Sequence, residues 1–221
     1  MKEDQLSIYT EAYWSQLGLF ELRVQTDNKL FRVEQDAATL QTVGHDIIIH
    51  RMYPPSKWLP DIYNVETAMA WAFYITKCNS SQEQLVCSIE AKSTTMQGTV
   101  ETGQNLIAVG FEGEARQLHI GTEDEDAMAS RANNNDWMPP RLRAFLSNYD
   151  LLITDVTPNG LITKIPLLKP GEQLYFHYII AENPYRASSE YPQETDISTW
   201  IAVDQSKYQI SNTWLEQAKK P

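Results

Sequence analysis

Apolar residues in this chain recur mostly at every second position, and that spacing predicts strands. Successive side chains of an extended chain face opposite ways, so alternation marks a ribbon with one buried side. "LFELRVQT" (19–26) and "LFRVEQD" (30–36) alternate around "DNK", whose residues tolerate left-handed backbone, and the three together predict a hairpin. "HDIIIHRMY" (45–53) reads as a buried strand stopped by Pro54 and Pro55. "NLIAVGFE" (105–112) and "RQLHIGT" (116–122) predict a second hairpin with Gly113 near its turn. "LLITDVT" (151–157) and "LITKIPLL" (161–168) flank Asn159-Gly160, a strong turn signal. Lys169-Pro170-Gly171 then turns the chain into "QLYFHYIIAEN" (173–183), predicting a three-stranded C-terminal meander. "WIAVD" (200–204) reads as one more short strand.

Other segments follow the helical period. "DQLSIYTEAYWSQLG" (4–18) places Leu6, Tyr9, Tyr13 and Leu17 three or four residues apart and ends on a glycine, so it predicts a helix. "PPRLRAFLSNYD" (139–150) puts Leu142, Phe145, Leu146 and Tyr149 on one helical face, with proline at the start where a helix tolerates it. A terminal helix is expected around "SNTWLEQAKK" (211–220). Residues 64–78 satisfy both readings, a helix begun by Asn64 or a strand. Their aromatic and β-branched content favours a short helix followed by strands over 70–78 and 84–92. These elements make a strand-rich α+β domain spanning residues 1–221, mainly antiparallel sheet built from hairpins and the meander, with about four helices. A β-sandwich with helical insertions has the same pattern.

Charge changes this picture locally. The 221 residues carry a formal net charge of −11, which disfavours binding to nucleic-acid phosphates or anionic membranes and favours a basic partner. Residues 101–136 hold eight acids against Arg116 and Arg131, a local net of −6. Within them, "GTEDEDAMASRANNNDW" has a structural explanation. Thr122 and Glu125 match a capping box. Glu123, Asp124, Glu125 and Asp126 sit at the positive end of a helix dipole, and the asparagines at 133–135 end the helix. Four consecutive acids exceed what a cap requires, however, and Asp136-Trp137 follows at once. Tryptophan is either a core staple here or an interface anchor. Glu123, Asp124, Glu125, Asp126, Asp136 and Trp137 are therefore the first candidate surface for a basic partner. The segment "ENPYRASSEYPQETDIS" (182–198), with Tyr185 and Tyr191 among prolines and acids, is the second.

Catalytic and metal chemistry find little support. The acids lack the alternating ligands, turn glycine and late glutamate of a calcium loop. His45 and His50 are five apart and face opposite sides of one strand, so they cannot share a metal. His119 precedes the acidic run and is the one candidate for a histidine–carboxylate acid–base pair. Cys78 and Cys87 are expected to be free thiols in a reducing compartment. Phosphate loops, dinucleotide fingerprints and nucleophile elbows are missing, and no cofactor or metal is expected. Neither a basic, apolar leader nor a membrane-length apolar run is present, which predicts a cytoplasmic protein. The resulting expectation is a non-catalytic acidic protein that binds a basic protein, in its concrete form an immunity or antitoxin-type neutraliser. The alternatives are an enzyme using a histidine–carboxylate site, and a small-molecule or carbohydrate-binding domain that presents aromatic side chains.

Overall fold

The computed structural model describes residues 7–26, 30–34, 36–52, 65–93, 96–103, 105–184, 199–200, 202–204 and 210. Its strands are β1 (Ser7–Ser15), β2 (Gly18–Thr26), β3 (Leu30–Val33), β4 (Ala37–Gln41), β5 (His45–Met52), β6 (Thr67–Lys77) and β7 (Val86–Ala91). After these come β8 (Thr99–Gly103), β9 (Leu106–Glu112), β10 (Arg116–Glu123), β11 (Thr154–Thr157), β12 (Gly160–Lys164) and β13 (Gln173–Pro184). Between β10 and β11 lie α1 (Glu125–Asn134), a 3-10 turn (Pro140–Leu142) and α2 (Arg143–Ser147). The strands form two antiparallel sheets, a five-stranded one ordered β1-β2-β7-β12-β11 and an eight-stranded one ordered β3-β4-β5-β6-β13-β10-β9-β8.

The sheets face each other across one apolar cluster. Phe20, Leu22 and Val24 of β2, Cys87 and Ile89 of β7 and Leu161 of β12 come from the smaller sheet. Ile47, Ile49, Trp71, Phe73, Phe176, Tyr178 and Phe111 come from the larger. Phe20 meets Phe111 edge to face at 5.1 Å between ring centres, and each such burial contributes roughly 1.5–3 kcal/mol. Two polar bridges fix how the sheets sit on each other. Tyr178 donates to Thr163 Oγ1 at 2.6 Å. Glu11 of β1 accepts from Arg51 Nε at 2.7 Å and from Trp71 Nε1 at 3.0 Å, so a half-buried carboxylate is supplied with donors on the core side.

The reverse side of the eight-stranded sheet is covered as well. Ala68, Ala70, Ala72, Ala108 and Ala181 form its floor, and Ala202, Val203 and Ile210 pack on it. At Gly121 a Cβ would collide with Val203, so a glycine in mid-strand lets this segment approach.

Several expectations need correction. Residues 7–15 are a strand, not part of a helix: Tyr9 and Tyr13, four apart, satisfy both periods, and pairing with β2 selects the extended one. The runs around 27–29 are no hairpin, because β2 and β3 lie in different sheets. The meander also breaks, since β13 leaves β12 to pair with β6 and β10 at the centre of the larger sheet. Residues 67–77 are one strand. Residues 200 and 202–204 are helical rather than extended, and β4 and β8 went unforeseen. Three bounded helices stand among the described residues instead of about four. The hairpins at β9–β10 and β11–β12 and the helix α1 form as the pattern predicts. No helix among the described residues is long and apolar enough to cross a membrane. The helix expected from Asn64 up to residue 70 does not form, since β6 begins at Thr67, and the expected terminal helix lies outside the described residues.

Candidate functional site

The acidic run divides between interior and surface. β10 continues through Glu123, so Thr122 is still a strand residue and donates to the His177 carbonyl at 2.6 Å instead of capping the helix. The cap is Asp124, whose carboxylate accepts from the Ala127 N–H at 3.0 Å. Glu123 is buried and bound to Arg131 at 2.6 Å. The same guanidinium donates to the Tyr175 carbonyl at 2.9 Å and lies 5.0 Å from the Tyr175 ring centre, tying the last turns of α1 to the sheet. Glu125 is buried too and accepts from the Ile153 N–H at 3.3 Å. Burial pushes its carboxyl above the usual range. Asp126 is exposed and accepts from Tyr149 Oη at 2.7 Å. Helix α1 ends where the asparagines predict, at Asn135 with φ 55°.

Asp136 and Trp137 are half-buried. The Trp137 carbonyl accepts from the Tyr175 N–H at 2.7 Å, and its indole meets Tyr74 edge to face at 5.0 Å. Its left-handed φ of 46° aims it at the reverse side of the large sheet, so it works as a staple. Tyr185 and Tyr191 lie outside the described residues; Glu182 and Asn183, expected at the head of that loop, belong to β13.

Beside Asp126 the surface turns apolar. Leu142 and Leu146 are buried, but Phe145, Tyr149 and Leu152 are 52%, 57% and 57% exposed. All four residues 142, 145, 146 and 149 were expected on one helical face. The 3-10 turn ahead of α2 and the left-handed Tyr149 (φ 56°) instead split them into a buried pair and an exposed pair. Asp126 of α1, Phe145 of α2 and Tyr149, Asp150 and Leu152 just after α2 make an exposed ridge of mixed acidic and apolar character, on which Arg143 of α2 is exposed as well.

His119 meets carboxylates across the sheet. It pairs with Gly110, where a Cβ would lie 2.5 Å from its ring, and it reaches over that glycine to Glu101 at 3.3 Å. Its other nitrogen is 2.6 Å from Thr199 Oγ1. A hydroxyl, an imidazole and a carboxylate in series are the members of an acid–base set. His119 and Thr199 are both buried, and of the three Glu101 reaches solvent. Burial lowers the His119 pKa, against the raising influence of Glu101 and Glu112.

A second ionisable cluster went unseen in the sequence. His45 and Lys77 are register partners on β5 and β6. Lys77 Nζ lies 3.4 Å from His45 Nε2 and 3.1 Å from Ser81 Oγ. The ammonium can only donate, so Nδ1 carries the imidazole proton and donates to Glu83 at 2.9 Å. Glu83 also accepts from the Gly44 N–H at 2.8 Å, and a Cβ at Gly44 would fall into the cluster. Burial lowers the His45 pKa first, with Lys77 adding to it. The charges of Lys77 and Glu83 balance, and the cluster closes one end of the sandwich. As expected, His50 faces the opposite side of β5 from His45 and packs against Tyr74 at 5.8 Å.

Among the described residues no group of three or more histidines, cysteines or acids could hold a metal ion. Cys78 is an exposed free thiol, and Cys87 is buried in the core, where burial pushes its thiol up. The fold defines a class, a two-sheet antiparallel sandwich with a helical insertion after β10. No protein-family model matches the chain, and no curated protein matches it.

Proposed function

We propose that this chain is a non-catalytic binding domain that docks a basic protein on its α1–α2 ridge. The observation carrying this reading is the exposure of Phe145, Tyr149 and Leu152, each more than half open to solvent, beside the exposed Asp126. Large aromatic side chains are the common anchors of protein interfaces, and complementary charge beside them speeds encounter and selects partners. The contact set differs from the acidic run taken as a block. Glu123 and Glu125 serve the interior, Asp124 caps the helix, and Asp126 with Asp150 supplies the accessible charge. Neutralisation of a basic toxin is the concrete form of the proposal.

A photo-crosslinking residue at position 149 tests it, with one at Val33, 60% exposed on another element, as control. The expected result is a basic protein captured from native lysate at 149 and not at 33, with capture falling as salt rises. The Phe145→Ala, Tyr149→Ala double variant should lose it. Capture that persists in this variant, or equal capture at both positions, overturns the reading.

A further inference from the structure

The open side of the five-stranded sheet carries a second surface, independent of the ridge. Strand register sets its side chains in straight rows. Thr10, Arg23, Ser88, Ile162 and Asp155 form one row across all five strands, and Ala12, Glu21, Glu90, Gly160 and Thr157 form the next. Neighbouring strands lie about 4.8 Å apart, so each row is an evenly spaced ladder. A groove of about 160 Å³ runs along it, lined by Arg23, Gln25, Val86, Ser88, Glu90 and Ile162. Ala12 and Gly160 leave the second row shallow, and a Cβ at Gly160 would strike the backbone of β7. Past Ala12 on β1 stands Trp14, 76% exposed, the most open of the large apolar side chains described.

Charge on this face is cancelled in place. Arg23 lies 2.8 Å from Glu21, Lys92 3.6 Å from Glu90, and Lys164 2.6 Å from Asp155. Three cations against three acids leave no net field to draw a nucleic acid, an anionic lipid or a charged peptide. What remains is an array of directional donors and acceptors, with a flat aromatic ring further along the same face. That complements a neutral ligand bearing many hydroxyl groups, each both donor and acceptor, together with an apolar C–H face that can lie on an indole. We propose that this face binds a neutral saccharide, with Trp14 as the stacking platform and the groove-lining Arg23, Gln25, Ser88 and Glu90 as the hydrogen-bonding groups.

Affinity gel electrophoresis of the full chain through hydroxyethyl cellulose, laminarin, galactomannan and xylan tests the proposal. At least one polysaccharide should retard the protein. Trp14→Ala and Arg23→Ala should each weaken that retardation about tenfold or more, as loss of a stacking or bidentate contact does. Trp14 is exposed and Arg23 is half-buried with its side chain 41% open to solvent, so near-UV circular dichroism and melting temperature should match the parent chain and separate lost binding from lost fold. Migration unaffected by all four polysaccharides overturns the proposal. So does retardation that survives unchanged in either variant. The Phe145→Ala, Tyr149→Ala variant should be retarded like the parent, which keeps this outcome distinct from the fate of the ridge.

Discussion

The two sheets differ most in their outward sides. Behind the eight-stranded sheet, alanines and glycines make a floor on which Trp200, Ala202, Val203 and Ile210 settle, and β6 is buried on both faces from Ala68 to Ile75. Behind the five-stranded sheet, Glu21, Arg23 and Gln25 alternate with the buried Phe20, Leu22 and Val24. The contrast is visible in the residues themselves. "AMAWAFYI" (68–75) is continuously apolar because both sides need cover, whereas "LFELRVQT" alternates because one side meets water. Small residues mark the covered side and charged ones the open side. The same kind of interaction should therefore have very different worth on the two.

Ion pairs offer the sharpest way to break that comparison. Arg131–Glu123, at the covered side, joins side chains that are 10% and 5% exposed. Arg131→Met leaves Glu123 buried without its counter-charge, and about 3–5 kcal/mol of stability should be lost. Chemical denaturation reads this directly. Glu123→Gln added to Arg131→Met should recover part of the loss, because the stranded charge is then gone. If the single variant unfolds at the parent's denaturant midpoint, α1 is not fastened as described.

The histidines sharpen the comparison through pH. His45, His50 and His119 all belong to the larger sheet, and burial lowers each from the ordinary value of 6.5. A lowered histidine stays neutral in the folded chain while its unfolded counterpart takes up a proton. The unfolded state thus binds more protons below 6.5, and stability falls as pH drops through that range. Their contribution is fully present above it. Urea midpoints should decline between about pH 7.5 and about pH 5.5, ahead of carboxylate titration. His119→Gln should flatten part of the slope. A flat profile would mean these rings are solvated.

How much of this was legible follows from how local each signal is. Asn159-Gly160 announced its hairpin and Asn135 its helix end, because turn and cap chemistry is written in adjacent residues. Which sheet a strand joins is not local: β2 to β3 and β12 to β13 read like hairpins, yet both cross between layers. The Lys77–His45–Glu83 cluster depends on register between residues more than thirty apart. Its hints were Gly44 beside His45 and a lysine ending an apolar strand. Gly110 likewise was the signal for the His119–Glu101 contact, since a glycine inside a strand often marks close approach. At the ridge the helical period was right, but a 3-10 turn rotated Phe145 and Tyr149 outward, and a period cannot show that.

The smallest effect belongs to the open side. Arg23–Glu21 has nearly the separation of the buried pair, 2.8 Å, but its side chains are 41% and 24% exposed. Water and salt screen such a pair, and holding two long side chains in one geometry costs entropy. Arg23→Ala should therefore change stability by less than about 0.5 kcal/mol. Trp14→Ala, which empties no cavity, should do the same. Denaturant midpoints of both variants, measured beside Arg131→Met, complete the comparison. A loss in Arg23→Ala close to that of the buried pair would show that something covers the outward face of the five-stranded sheet. Near-zero loss leaves Arg23 and Trp14 with no structural duty on that face, so their side chains are available for a ligand at no cost to the fold.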